Sequence, residues 1–376
     1  MDARRTLAIE LMTGFAAWTG LEPAGAPRRY LWTDAFAVCN FLALDRATGD
    51  RRYLELALRL VEQVHRTLGR HRPDDARRGW ISGLPEDEGA AHPTRGGLRI
   101  GKPLPERGPD EPFDDELEWE RDGQYFHYLT RWMHALDRVA RATGQPLFGT
   151  WARELAIAAH RGFTYAPGAG AGAGKRMYWK MSIDLSRPLV ASMGHHDPLD
   201  GLVTCIELDP DGAEAPPLAE ARADFASMIE PDRLATADPL GLGGLLIDAS
   251  RLERAARDPA ARALVDAMLA AAHAGLSYYA EQPDRRLPAA RRLAFRELGL
   301  AIGLGAIEAM QARAAPARAE ATARWIAQIV RFLPLRAEID AFWQEPAHRA
   351  AESWRGHEDI NGVMLATSLL PDAFSG

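Results

Sequence analysis

The sequence predicts an all-α protein, an (α/α)6 toroid of six helical hairpins, and three observations carry that reading. Six apolar helix-like runs are each opened by charged residues: Asp34 before Ala35 to Leu44, Glu120-Arg121-Asp122 before Tyr125 to Leu136, and His195-His196-Asp197 before Leu199 to Leu208. The others are Asp238 before Leu240 to Ile247, Arg296-Glu297 before Leu298 to Met310, and His357-Glu358-Asp359 before Val363 to Leu370. The turn Ala47-Thr48-Gly49-Asp50 recurs as Ala142-Thr143-Gly144-Gln145, an internal repeat. The first and last helices each lack a neighbour in sequence, so pairing them closes a ring.

In chain order, Leu7, Leu11, Phe15 and Trp18 repeat at helical spacing, and Glu10 interrupts any signal-like apolar core, so Arg4 to Trp18 reads as a packed helix. Ala35 to Leu44 turns into Tyr53 to Leu68, which places Leu54, Leu58, Val61 and Leu68 on one side. Tyr125 to Ala140 pairs with Trp151 to Phe163, and Leu199 to Leu208 with Leu218 to Ile229. Leu240 to Ala256 pairs with Ala260 to Tyr279, Phe295 to Ala312 with Ala317 to Phe332, and Asn361 to Leu370 with the N-terminal helix. Six parallel inner helices then present their N-termini, with free N–H groups and positive dipole ends, at one mouth. The whole chain, 1–376, reads as one such domain with long mouth insertions at 70–117 and 165–194. In the second insertion Met177, Trp179, Met181, Ile183 and Leu185 alternate with Tyr178, Lys180, Ser182 and Asp184, the pattern of a short strand or ribbon.

Composition excludes several partners. With 47% hydrophobic and 26% charged residues and a formal charge of -7, there is no electrostatic case for nucleic acid. No run approaches the roughly 18 apolar residues of a membrane span. Cys39 and Cys205 both fall in apolar helical runs and read as small core residues in a reducing compartment, which makes the cytoplasm the expected location.

The run Gly168 to Lys175 fails as a phosphate loop, because its first glycine would fall at Ala169 and Arg176 stands where Ser or Thr should follow the lysine. Dinucleotide, zinc-protease, paired-cysteine and serine-hydrolase signatures are likewise missing from the sequence. What remains is carboxylates, histidines and tryptophans at helix openings, which suits acid/base chemistry on a hydroxylated substrate. Asp122 and Asp197 form the candidate catalytic pair. Trp32, Trp119 and Trp179 offer flat faces to a sugar ring. Asp34, Gln124, His127, Lys180, His196, Asp200, Arg296, His357, Glu358 and Asp359 complete the candidate binding set. Asp34, Asp122 and Asp238 also read as helix N-caps. The clusters His195-His196-Asp197 with Asp200, and His357-Glu358-Asp359, contain metal-ligand residue types as an alternative.

Trp32-Thr33-Asp34-Ala35-Phe36 with Thr48-Gly49-Asp50, then Arg121-Asp122-Gly123-Gln124-Tyr125-Phe126, resembles the six-hairpin glycosidase-like superfamily, most nearly its unsaturated glucuronyl and rhamnogalacturonyl hydrolases. The resemblance implies an α/α toroid, Asp122 and Asp197 as an acid/base pair, a small-molecule or oligosaccharide substrate containing a uronic acid, and no cofactor. His-His-Asp-Pro-Leu-Asp-Gly departs from that family's second motif, and Arg121 stands where it has histidine. A glycoside hydrolase is therefore the expectation. A sugar isomerase or epimerase, a metal-dependent enzyme of the same fold, and a non-catalytic carbohydrate or peptide binder are the alternatives.

Overall fold

The computed structural model describes residues 2–168, 174–212, 216–255, 257–313 and 319–374. The glycine-rich run 168–174, weighed as a phosphate loop on sequence, falls mostly outside them. Helices dominate: α1 (Ala3–Trp18), α2 (Leu31–Thr48), α3 (Arg52–Leu68), α4 (Glu86–Ala91), α5 (Asp115–Glu120), α6 (Phe126–Thr143), α7 (Pro146–Phe163), α8 (Asp197–Leu208) and α9 (Pro216–Met228). They continue with α10 (Pro239–Ala255), α11 (Pro259–Glu281), α12 (Ala294–Ala312), α13 (Glu320–Ile329), α14 (Leu333–Gln344), α15 (Pro346–Arg349), α16 (Glu352–Arg355) and α17 (Glu358–Leu369). Five strands are short: β1 (Gln124–Tyr125), β2 (Thr164–Tyr165), β3 (Arg176–Met177), β4 (Lys180–Met181) and β5 (Pro188–Val190). The chain has the expected α/α-toroid fold.

The repeated turn forms twice by the same chemistry. Thr48 Oγ1 donates to the Leu44 carbonyl at 2.7 Å and accepts from the Asp50 N–H at 3.2 Å. Thr143 Oγ1 does the same with Val139 at 2.8 Å and Gln145 at 3.2 Å. Gly49 and Gly144 then adopt φ of 73° and 69°, left-handed values that a β-carbon disfavours, and the chain reverses into the return helix.

The described residues fall into two compact units. One comprises Met1–Ala16, Cys39–Asp50 and Glu230–Gly376. Here α1 meets the end of the chain as expected: Arg4 Nη2 bonds Asp340 at 2.7 Å and the Ser368 carbonyl at 3.3 Å, while Asn40 Nδ2 donates to the Val363 carbonyl at 3.1 Å. Helices α10 and α12 approach so closely that a β-carbon on Gly243 would sit 2.0 Å from the Gly299 carbonyl oxygen, which explains the small residues along these apolar helices. Helix α14 is an addition to the expected pattern. After Val330–Phe332 tightens into a 3-10 turn, Pro334 at the start of α14 suits a fresh helix N-terminus.

The other unit comprises Ala17–Val38 and Arg51–Ile229. Return helices here are amphipathic; α3 buries Leu54, Leu56, Ala57, Leu60, Val61, Val64 and Leu68. Inner helix α8 is buried along its whole length, Cys205 included. Burial pushes the Cys205 thiol up to about 12, and both cysteines are core residues with no disulfide joining them. The 70–117 insertion is built into this unit, with Trp80 buried beneath the Arg70 guanidinium, 4.3 Å from the ring centre. The second insertion is a ribbon, but its alternation breaks. Strand β4 pairs with β1 (Gln124 opposite Met181) and with β5 (Lys180 opposite Val190), while β3 pairs separately with β2. Lys180 and Ser182, on the polar phase of the pattern, are buried: Lys180 finds interior carbonyls, and the Ser182 hydroxyl bonds Asp184 and the Arg187 N–H within its own turn. Among the described residues no helix is long and apolar enough to cross a membrane.

Candidate active site

In the second unit three helix N-termini meet: those of α2, α6 and α8. Residues on α6 at i, i+4 and i+7 share one face, and α8 answers with Asp197, Asp200 and Glu207. His127 Nδ1 lies 3.8 Å from Asp197 Oδ1, Arg131 Nη2 bonds Asp200 at 3.0 Å and 3.3 Å, and His134 Nδ1 contacts Glu207 Oε2 at 2.8 Å. This seam runs from the helix N-termini into the core.

The outermost rung leaves a buried polar atom without a partner among the described residues. Asp197 is 5% exposed, and among the described residues its Oδ2 has no hydrogen-bond partner. Desolvation pushes its carboxyl up to about 7, against smaller opposing pulls from the Gly194 backbone and the Arg131 guanidinium. A carboxyl so placed keeps its proton near neutrality and can give it away. Gly194 makes the position possible, since a β-carbon there would lie 2.3 Å from Asp197 Oδ2. His127 retains about a quarter of its side-chain exposure, yet desolvation, helped by Arg131, lowers its ring to about 3, so it is neutral above that pH.

Aromatic rings surround this rung. Trp32 lies 6.2 Å from the His127 ring and 5.4 Å from that of Tyr128, and Tyr128 shares a 2.5 Å hydroxyl–hydroxyl bond with Tyr30. Tyr125 stacks on His127 at 5.4 Å, Trp179 stacks on it at 6.2 Å, and Trp119 stands edge-on to Trp179 at 5.1 Å. Trp32, His127, Tyr128 and Trp179 are all half-buried, which leaves ring surface open to a ligand. Tyr30, Tyr125, Tyr128, Arg131 and Gly194 were not among the residues picked out by sequence. The legible signal was the His127–Arg131 and Asp197–Asp200 spacing at helix starts.

The remaining candidates divide by environment. Asp122 is fully buried and its carboxylate is closed: Oδ2 accepts from Arg99 Nη1 at 2.8 Å and Arg72 Nη1 at 3.3 Å, and Oδ1 from the N–H groups of Gly101 at 2.9 Å and Gly123 at 3.1 Å. That is a structural anchor for the insertion, with no open oxygen for a substrate. Nor is it a helix cap, since it precedes β1. Gln124 is likewise consumed, accepting from Leu98 N–H at 2.9 Å and donating to the carbonyls of Gly96 at 3.0 Å and Ile183 at 2.6 Å. Lys180 Nζ is inside, donating to the carbonyls of Glu118 at 2.7 Å and Arg121 at 2.8 Å; burial lowers its pKa despite the nearby Glu118. These two residues hold the ribbon against the insertion. Asp34 accepts from the Tyr30 N–H at 3.0 Å and Arg29 Nη1 at 3.2 Å, closing the α2 N-terminus. His195 is exposed and His196 half-buried, their rings 4.5 Å apart. Among the described residues no three His, Cys, Asp or Glu side chains converge in a metal-holding arrangement, so neither histidine cluster is assembled as one.

In the first unit, Asp238 caps α10 by accepting from the Gly241 N–H at 2.8 Å and pairs with Arg296 at 2.5 Å. His357 and Glu358 are exposed at the start of α17, with Asp359 half-buried, and the His357 ring lies 5.6 Å from Phe295.

No family profile and no curated protein matches this sequence. Among solved structures the chain is similar to a glycoside hydrolase family 76 α-mannanase of Bacteroides thetaiotaomicron, with a TM-score of 0.56 and 9% identity over 100% of this chain and 96% of that one. It is similar also to a family 76 α-1,6-mannanase of a Salegentibacter species, with a TM-score of 0.53 and 11% identity over 97% of this chain and 98% of that one. An inactive variant of the latter in complex with α-1,6-mannotriose gives a TM-score of 0.52 and 10% identity over 98% and 99% of the two chains. At these identities the likeness establishes the fold alone, an α/α toroid.

Proposed function

We propose that the protein is a carbohydrate-active enzyme, a glycoside hydrolase in which Asp197 is the general acid. The observation that carries the reading is the buried Asp197 carboxyl, protonated near neutrality with one oxygen unpartnered, beside half-buried aromatic rings. Such rings take a pyranose face, and the carboxyl protonates the glycosidic oxygen as the C–O bond breaks. Water adds at the anomeric carbon and loses its proton to a carboxylate. Asp200, three residues along the same helix and ion-paired to Arg131, is the candidate for that carboxylate. Asp122, the other member of the pair expected from sequence, is given a structural role because its four acceptor bonds are already made.

The fold relatives act on α-mannans, and α-1,6-mannotriose is the ligand of one of them, so α-1,6-linked mannosides are the first substrates to offer, beside uronic-acid oligosaccharides. The test is release of reducing ends by wild type and Asp197→Asn. The reading requires turnover by the wild type and at least a thousandfold loss in the variant; equal rates would refute it. A second reading has one observation behind it: Asp34, Asp122, Asp200 and Asp238 are each bound to arginine and three of them to backbone N–H as well, as in a non-catalytic carbohydrate binder. Binding of an oligosaccharide without release of reducing ends, across the whole panel, would establish that reading instead.

A further inference from the structure

Trp119 lies outside the half-buried wall yet touches it. It is 47% exposed, an unusual position for so large an apolar side chain, and Phe113 and Leu117 beside it in sequence are exposed too. The segment carrying it is nevertheless tightly fixed. Asp114 caps α5 by accepting from the Leu117 N–H at 2.9 Å. Glu118 is buried between Arg107 Nε at 2.9 Å and Lys180 Nζ at 2.9 Å. The Leu104 N–H bonds the Glu120 carbonyl at 3.2 Å, Asp122 N–H bonds the Leu104 carbonyl at 2.8 Å, and Arg121 is paired with Glu111. Ion pairs and ladder bonds on both sides thus fix the segment that carries the indole, and the ring rests against Trp179 and Tyr125 with nearly half of its surface still exposed.

The direction of the array gives it a use. From Asp197 the contacts pass to His127, then to Trp179 stacked on His127, then to Trp119 edge-on to Trp179, with Tyr125 touching all three rings. Trp119 is therefore two ring-to-ring steps outward from the ring beside the acid. Resting on the glycosidase reading above, we propose that Trp119 with the edge of Trp179 forms an outlying sugar subsite, so that the substrate is a polysaccharide chain whose further residues lie across Trp119. Its occupant is a pyranose ring presenting C–H groups to the indole face.

The test is native affinity electrophoresis in gels containing soluble α-mannan, xylan, β-1,4-glucan derivative or polygalacturonate, with wild type, Trp119→Ala, Trp119→Phe, Asp197→Asn and Trp18→Ala. Trp18 is a second exposed tryptophan, 50% exposed, which contacts Arg28 and not this array. At least one polysaccharide should retard the wild type. Trp119→Ala should bind it at least tenfold more weakly with an unchanged melting curve, Trp119→Phe should recover most of the affinity, and Trp18→Ala should match wild type. The proposal is overturned if Trp119→Ala is retarded as strongly as wild type, or if no polysaccharide retards the wild type. Reducing-end release separates the two claims. A Trp119→Ala protein that binds normally while Asp197→Asn is inactive removes the subsite and leaves the acid in place; an active Asp197→Asn protein does the reverse.

Discussion

Replacing Asp197 with Asn should stabilise the protein, and by an amount that depends on pH. In the unfolded chain this carboxyl titrates at the ordinary 3.8, whereas burial in the fold pushes it to about 7. A raised carboxyl destabilises the fold once the unfolded chain can release a proton that the native state retains. Below pH 3.8 both states hold the proton and there is no penalty; from there to about pH 7 the penalty grows, and above that it is constant. Each pH unit of that interval costs about 1.4 kcal/mol, so the full penalty is about 4 kcal/mol. Asn has nearly the same shape and no charge, so the variant escapes the penalty. Urea titrations at pH 5 and pH 8 should show the variant gaining about 3 kcal/mol more over wild type at the higher pH. A difference independent of pH, or a variant less stable than wild type at pH 8, would show that the buried carboxyl carries no such penalty. On the proposed glycosidase reading the same substitution should abolish turnover, an exchange between stability and a destabilised catalytic group.

Asp122→Ala is expected to behave in the opposite way. It leaves the Arg72 and Arg99 guanidiniums without their buried counter-charge and should cost about 3 to 5 kcal/mol in denaturant unfolding; a loss under about 1 kcal/mol would show that the anchor is not one. Gly194→Ala places a methyl group where Asp197 Oδ2 sits, and should reduce turnover at least tenfold with little change in melting temperature; unaltered kinetics would contradict the geometry. His127, its ring lowered to about 3 by desolvation, should show no imidazole titration in NMR spectra between pH 5 and 8, and a midpoint near 6.5 would contradict its burial. Turnover should fall as pH rises through about 7 and Asp197 loses its proton, and a rate still rising there would count against it as the acid.

The hairpins were legible because the forces that make them are local. Apolar runs of helical length, charged openings and the Ala-Thr-Gly turn place most of the long helices within a few residues, and Thr48 and Thr143 make the same pair of bonds. Helix α14 was not legible, because only a single 3-10 turn separates it from the helix before. The site was half legible. Residue type at a helix opening or along the ribbon picked out Trp32, His127, Trp179, Asp197 and Asp200, all of which meet around one rung or its neighbour. The same criterion picked out Asp122, Gln124 and Lys180, whose partners come from the 70–117 insertion and the ribbon. A carboxylate closed by two arginines from about 20 and 50 residues away has the same local sequence as an open one. Tertiary contacts made by the insertion closed the Asp122 carboxylate, and those have no periodicity to read.

Whether Asp197 holds its proton at neutrality is decided by carboxyl-carbon NMR of protein labelled in its aspartates, titrated from pH 3 to pH 9 for wild type and Asp197→Asn. One aspartate resonance in the wild type should have a midpoint near 7 and be missing from the variant. If every wild-type aspartate titrates below about pH 5, Asp197 is ionised at neutrality and cannot be the acid.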